Sequence, residues 1–172
     1  AIKIYKQLLQ AAPNNAQFSY ALGASYFLEG DIDFAQTAFE QSMAAQPAQV
    51  ESLYYLGLLA DRRGDKEKSV ELFKTVIERQ PDHAQAHVAL GLEYRSLGRL
   101  TDAKAELEAA TRLDPGSQKA HYQLGLVLAA LKEEAGAKSE LATANRLRAS
   151  SDDKVSWELT APAKAGDAKQ VK

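Results

Sequence analysis

The sequence predicts an all-α repeat array, and three observations carry that reading. Prolines recur at Pro13, Pro47, Pro81 and Pro115, each 34 residues after the last, while Pro162 stands outside the series. A Leu-Gly pair recurs in step with them, at Leu22-Gly23, Leu56-Gly57, Leu90-Gly91 and Leu124-Gly125. A second glycine follows each of the first three pairs, at Gly30, Gly64 and Gly98. A fixed period of about 20–50 residues is the mark of stacked repeats. The segments in register are YALGASYFLEGD, YYLGLLADRRGD, VALGLEYRSLGR and YQLGLVLAALKE, which read as helices and hold no obvious strand.

This pattern resembles the tetratricopeptide repeat (TPR) family, whose unit has 34 residues in two antiparallel helices joined by a tight turn. The resemblance implies a right-handed superhelical solenoid of antiparallel helix pairs. The first full unit, 16–49, supplies Leu22, Gly23, Tyr26, Gly30, Ala35, Phe39, Ser42 and Pro47 at the family's preferred positions. The second, 50–83, supplies Leu53, Leu56, Gly57, Gly64, Ser69, Phe73 and Pro81. The third, 84–117, supplies Leu90, Gly91, Tyr94, Gly98, Ala103, Leu107, Ala110 and Pro115. The fourth, 118–149, supplies Leu124, Gly125, Leu128, Ala137, Leu141 and Ala144. It is degenerate, with Lys132 where the turn glycine belongs and Ala149 where the proline belongs. Where the family favours a bulky apolar residue near the start of the unit, this chain has Ser19, His87 and His121 in the first, third and fourth units.

A glycine inside a helix costs roughly 1 kcal/mol relative to alanine. Gly23, Gly57, Gly91 and Gly125 nevertheless fall mid-helix at one phase, which indicates that a second helix approaches closely there. Gly57→Leu or Gly91→Leu is then expected to destabilise by roughly 1–3 kcal/mol through overpacking. A phosphate-binding role would need G-x-G-x-x-G after a strand, and that spacing does not occur. The later glycines should end the first helix of each pair, with Asp31 and Asp65 placed to cap the next.

The ends depart from the period. Residues 1–12 fit the second helix of an earlier unit, with Ala1, Tyr5 and Leu8 at its inward positions, so the chain is expected to be a fragment of a longer protein. Residues 150–172 are polar and rich in alanine and lysine, and read as a tail. Within it Val155, Trp157 and Leu159 alternate with polar residues, which would suit an extended segment lying in a groove.

Composition narrows the function. Of 172 residues, 45% are apolar and 26% charged, as in ordinary soluble globular proteins. No apolar run approaches the roughly 20 residues of a membrane span. A net charge of -2 argues against a nucleic-acid partner. With no cysteine, disulfides and thiolate metal sites are excluded. The histidines His83, His87 and His121 form no H-E-x-x-H, and no nucleophile elbow occurs. His83 and His87 have the spacing of a zinc pair, but His83 falls in a turn. Glu106 and Glu108 read as a solvated helix face. The sequence therefore indicates no catalytic residues, no metal and no cofactor.

The resemblance places function on the concave face, along the first helix of each pair. The residues there are Gln17, Tyr20, Ala24, Phe27 and Leu28, then Glu51, Tyr54, Leu58, Asp61 and Arg62. The third and fourth units contribute Gln85, Val88, Leu92, Arg95 and Ser96, then Lys119, Tyr122, Leu126, Ala129 and Ala130. Tyr20, Phe27, Tyr54, Leu58, Arg62, Val88, Leu92, Arg95 and Tyr122 are the candidate contacts, with Arg62 and Arg95 favouring a ligand of some acidic character. Tyrosines stand where the family's chaperone-binding members carry the lysine of a carboxylate clamp, so that subfamily is not indicated. The expected function is a protein-interaction module that takes a peptide or helix in its groove. The alternative is a structural array that self-associates through its ends or docks other domains of its parent chain.

Overall fold

The computed structural model describes residues 1–160, with side chains to residue 150. Among these residues there are nine helices and no strand. They are α1 (Ile2–Ala11), α2 (Ala16–Glu29), α3 (Ile32–Ala45), α4 (Val50–Arg62), α5 (Lys66–Arg79), α6 (Ala84–Ser96), α7 (Leu100–Leu113), α8 (Gln118–Ala130) and α9 (Glu134–Thr160). Each helix packs on its neighbours in the chain, and α6 also touches α8. The result is a superhelical solenoid of four pairs, α2–α3 to α8–α9, preceded by α1.

The mid-helix glycines are packing residues. A Cβ at Gly57 would lie 2.6 Å from the Phe73 ring, and one at Gly23 would lie 2.8 Å from the Phe39 ring. At Gly91 and Gly125 the obstacles are Leu107 and Leu141, each at 2.7 Å. The bulky residue at the middle of each second helix thus seats in a notch that only glycine leaves open. Phe39, Phe73 and Leu107 are fully buried as a result. Small residues flank them in the same helices: Ala35, Ser42, Ser69, Ala103 and Ala110 are all fully buried. Ser69 also donates to the Gly57 carbonyl oxygen at 3.2 Å, which ties α5 directly to the backbone of α4.

The turns between paired helices share one backbone device. Gly30, Gly64 and Gly98 have φ of 85°, 79° and 73°, left-handed values that glycine adopts without a Cβ penalty. Lys132 takes the same place after α8 with φ 63°, so the degenerate fourth unit keeps the turn and carries its strain. Capping matches the sequence in part. Asp65 accepts from the Lys68 amide at 3.1 Å, but Asp31 makes no side-chain cap bond. Asn15, His83 and Ser117 cap α2, α6 and α8.

The ends differ from expectation. In α1, Ile2, Tyr5 and Leu9 pack against the core beneath α2, whereas Ala1 is exposed and Leu8 is 37% exposed. Two of the three residues placed inward by the register therefore face outward. At the other end α9 continues to Thr160, so Val155, Trp157 and Leu159 lie on helical rather than extended backbone. Their side chains, and the rest of the tail at 161–172, lie outside the described residues.

Candidate binding groove

Along α4, residues three and four apart share a face, which brings Tyr54, Leu58 and Asp61 together. The same spacing on α6 aligns Gln85, Val88, Leu92 and, beside them, Glu93. Between the two helices these side chains line a cavity of about 170 Å³, closed beneath by Phe73 and bordered by Ser117 and Lys119 at the start of α8. Tyr54, Leu58 and Leu92 are half-buried. Val88 is 6% exposed and belongs to the core more than to any surface.

The remaining candidates fall into separate places. Tyr20 lies against Tyr55 and Phe39, with ring centroids at 5.9 and 6.0 Å. Burial, followed by the neighbouring Tyr55 phenol, pushes the Tyr20 hydroxyl up to about 12. Phe27 meets Tyr55 edge-on at 5.2 Å, and the Arg62 guanidinium sits 3.9 Å from the centre of the Phe27 ring as a cation–π pair. Arg62 is thereby engaged by α2. Tyr122 is 44% exposed and stands outside the cavity lining, as does the half-buried Arg95.

Tyr55 is the residue the sequence pattern missed. It stacks on Phe39 at 4.9 Å and meets Tyr54 at 5.7 Å, so it links the Tyr20–Phe27 patch to the cavity. Its signal was the doubled tyrosine of YYLGLL. Glu93 was also missed. It occupies the position held by Leu59 in α4 and Val127 in α8, both fully buried, and is itself 3% exposed. Its Oε1 lies 3.2 Å from the Ser69 hydroxyl, whose single proton is shared between that oxygen and the Gly57 carbonyl, and Lys66 Nζ lies 3.1 Å from its Oε2. Lys66 also bonds Asp61 Oδ1. Burial raises the Glu93 carboxyl above its usual range, outweighing the opposing pull of Lys66. The Asp61 bond in turn raises the Lys66 ammonium.

The histidines have a structural assignment. His87 Nδ1 lies 2.7 Å from Glu106 and its Nε2 lies 3.0 Å from the Pro81 carbonyl oxygen. His121 repeats the arrangement one unit on, with Glu140 at 2.6 Å and Pro115 at 3.1 Å. At His87 both partners accept hydrogen bonds, which favours the doubly protonated imidazolium that can donate to both. Glu106 is accordingly an ion-pair partner and not a merely solvated carboxylate. His83 Nδ1 is taken by the Ala86 amide at 3.1 Å, which leaves the His83–His87 spacing without a shared open site. Among the described residues no cluster of three metal-ligating side chains occurs.

This pairing has a measurable pH signature. The Glu106 bond raises His87 above the ordinary imidazole value of 6.5, with burial and Arg112 opposing. A raised folded-state value means the stabilisation is complete below 6.5 and is lost as pH climbs through the higher folded value. The wild-type melting temperature should therefore fall as pH rises above 6.5 and through the raised His87 value. Glu106→Gln should shallow that slope, and an identical slope in the variant would dismiss the pair as its source.

Similarity searches place this architecture. A profile described as "Tetratricopeptide repeat" matches residues 29–84 and 62–103, and one described as "TPR repeat" matches residues 91–132. No curated protein matches the chain. A crystal structure of MamA aligns with a TM-score of 0.76 at 24% identity, covering 88% of this chain and 89% of that one. MamA from Desulfovibrio magneticus RS-1 aligns at 0.75 and 22% identity, over 88% and 85% of the two chains. A thermophilic TPR protein from Thermus thermophilus, TTC0263, aligns at 0.66 and 29% identity, over 77% and 74%. The likeness to MamA is one of fold. Repeat register, helix-pair packing and profile matches agree: the chain belongs to the tetratricopeptide repeat family, whose helical arrays act broadly as protein-interaction scaffolds.

Proposed function

We propose that the first helices of the repeats form a groove that binds a peptide segment of a protein partner. The observation behind this reading is the convergence of Tyr54, Leu58 and Leu92, from two successive units, on one open cavity. Tyr55 extends the aromatic surface from there to Tyr20 and Phe27. Tyrosine suits such a site, because its ring supplies contact area and its hydroxyl a hydrogen bond. No helix among the described residues is long and apolar enough to cross a membrane.

The test is partner capture from lysate with a variant that stays folded. Tyr54→Ala with Leu92→Ala should weaken capture at least tenfold, in keeping with the roughly 2 kcal/mol a buried aromatic anchor can carry. Tyr122→Ala, outside the cavity, should do less. Helicity by circular dichroism must match wild type. If the folded double variant holds every partner at wild-type affinity, the groove is not the binding site.

A second reading rests on Ile4 and Leu8, which are 59% and 37% exposed on α1. Such a face favours self-association through the end of the array. Sedimentation equilibrium separates the two: a monomer at high concentration leaves only the groove.

A further inference from the structure

Glu93 is a carboxylate in a core position. Its counterparts Leu59 and Val127 are apolar and sealed, while Ser25 in the first unit is polar and half-buried. An ionised group there is costly unless it is paired and fully hydrogen-bonded. The two Glu93 oxygens lie 3.2 Å from the Ser69 hydroxyl and 3.1 Å from the Lys66 ammonium, and Lys66 is the one cation against them among the described residues. Both Glu93 and Asp61 line the cavity, whereas Lys66 lies behind them and is shared between the two. The one ammonium on the lining, Lys119, stands exposed at the rim. The cavity thus has apolar walls, a tyrosine ring and two carboxylates, of which Asp61 is the more exposed.

We propose that this cavity seats a lysine or arginine side chain of the bound peptide, its aliphatic stem along Leu58 and Leu92 and its cation against Glu93 and Asp61. This rests on the groove reading and names its anchor. A volume of about 170 Å³ is that of one long side chain and not of a folded ligand. The stem would replace water along the apolar walls, and the charged head would pair with the more exposed Asp61 carboxylate, with Glu93 close behind it. The Tyr54 ring adds a face suited to a cation. The arginines expected to attract an acidic ligand do not oppose this, since Arg62 lies on Phe27 and Arg95 is off the lining.

The test is a nitrogen-15 amide-shift titration of the full chain with four capped tripeptides, bearing arginine, lysine, glutamate or leucine between two alanines. The arginine and lysine probes should move the amides of Tyr54, Leu58 and Leu92 and saturate, while the glutamate probe should not. Glu93→Gln keeps the volume and should weaken the basic probes at least fivefold. Asp61→Asn provides the same reading at a more exposed site, should Glu93→Gln fail to fold. Basic probes that leave these amides unmoved would overturn the assignment, as would a glutamate probe that binds equally well. So would retention of full affinity in the folded variants. If the leucine or glutamate probe alone occupies the cavity, the basic anchor falls while the groove stands. Failure of the groove itself is read separately, from capture by the Tyr54→Ala and Leu92→Ala double variant.

Discussion

Phe73→Ala is expected to lower the free energy of unfolding by about 3–5 kcal/mol. Phe73 is 1% exposed and sits in the largest buried cluster, which runs from α5 through α9. Its ring fills the notch at Gly57 and lies 5.8 Å from Tyr54. Truncation removes the ring's transfer energy and leaves a cavity that two helices held by the Ser69 bond cannot close. In a repeat array stability is roughly a sum of unit and nearest-neighbour terms, so the damage should centre on the second unit. Urea denaturation gives the total, and hydrogen exchange along α4 and α5 gives its location. A loss below about 1 kcal/mol would show that the second unit does not depend on this contact.

Gly57→Leu should cost about 3 kcal/mol, at the top of the usual range for overpacking. Even a Cβ would lie 2.6 Å from Phe73, and leucine adds three more carbons on the same line. Relief would require α5 to move, which its Ser69 bond to the Gly57 carbonyl opposes. The two substitutions should also couple. Combined with Phe73→Ala, the leucine enters space the ring has left, so the double variant should be more stable than the sum of the singles predicts by about 1 kcal/mol or more. Strict additivity in this cycle would mean that the two residues do not meet, and the notch would lose its explanation. Gly91 and Leu107 offer an independent copy of the experiment, with a Cβ-to-Cγ separation of 2.7 Å.

How far the sequence reached is clear from particular residues. The pairing of Gly57 with Phe73 was half legible. A mid-helix glycine at constant phase announced a close approach, but which side chain would fill the notch was visible only in three dimensions. Leu8 and Tyr55 show the limits of reading by register. Leu8 was set inward by the register, yet in α1 it is 37% exposed. Tyr55 lies outside the concave positions of the unit, yet it joins Tyr20, Phe27 and Tyr54 because large rings reach across helix boundaries. The histidine pairs left a trace that a closer reading would find. His87 and His121 share a position, and Glu106 and Glu140 share another 19 residues on.

By itself the sequence determined the architecture: the helices up to α9, the turns, the buried face of each pair and the family. Those features follow from spacing along the chain, because a helix's periodicity and a left-handed turn are local properties of the backbone. Only the tertiary structure decided which of the candidate residues meet around one cavity. Among nine candidate contacts it drew Tyr54, Leu58 and Leu92 together, buried Val88, set Tyr122 apart and turned Arg62 onto Phe27. It also put Glu93 and Asp61 side by side over a shared lysine. These distances run between repeats, and they are set by how one helix pair rests on the next, which depends on packing many small contacts at once and on no single stretch of residues.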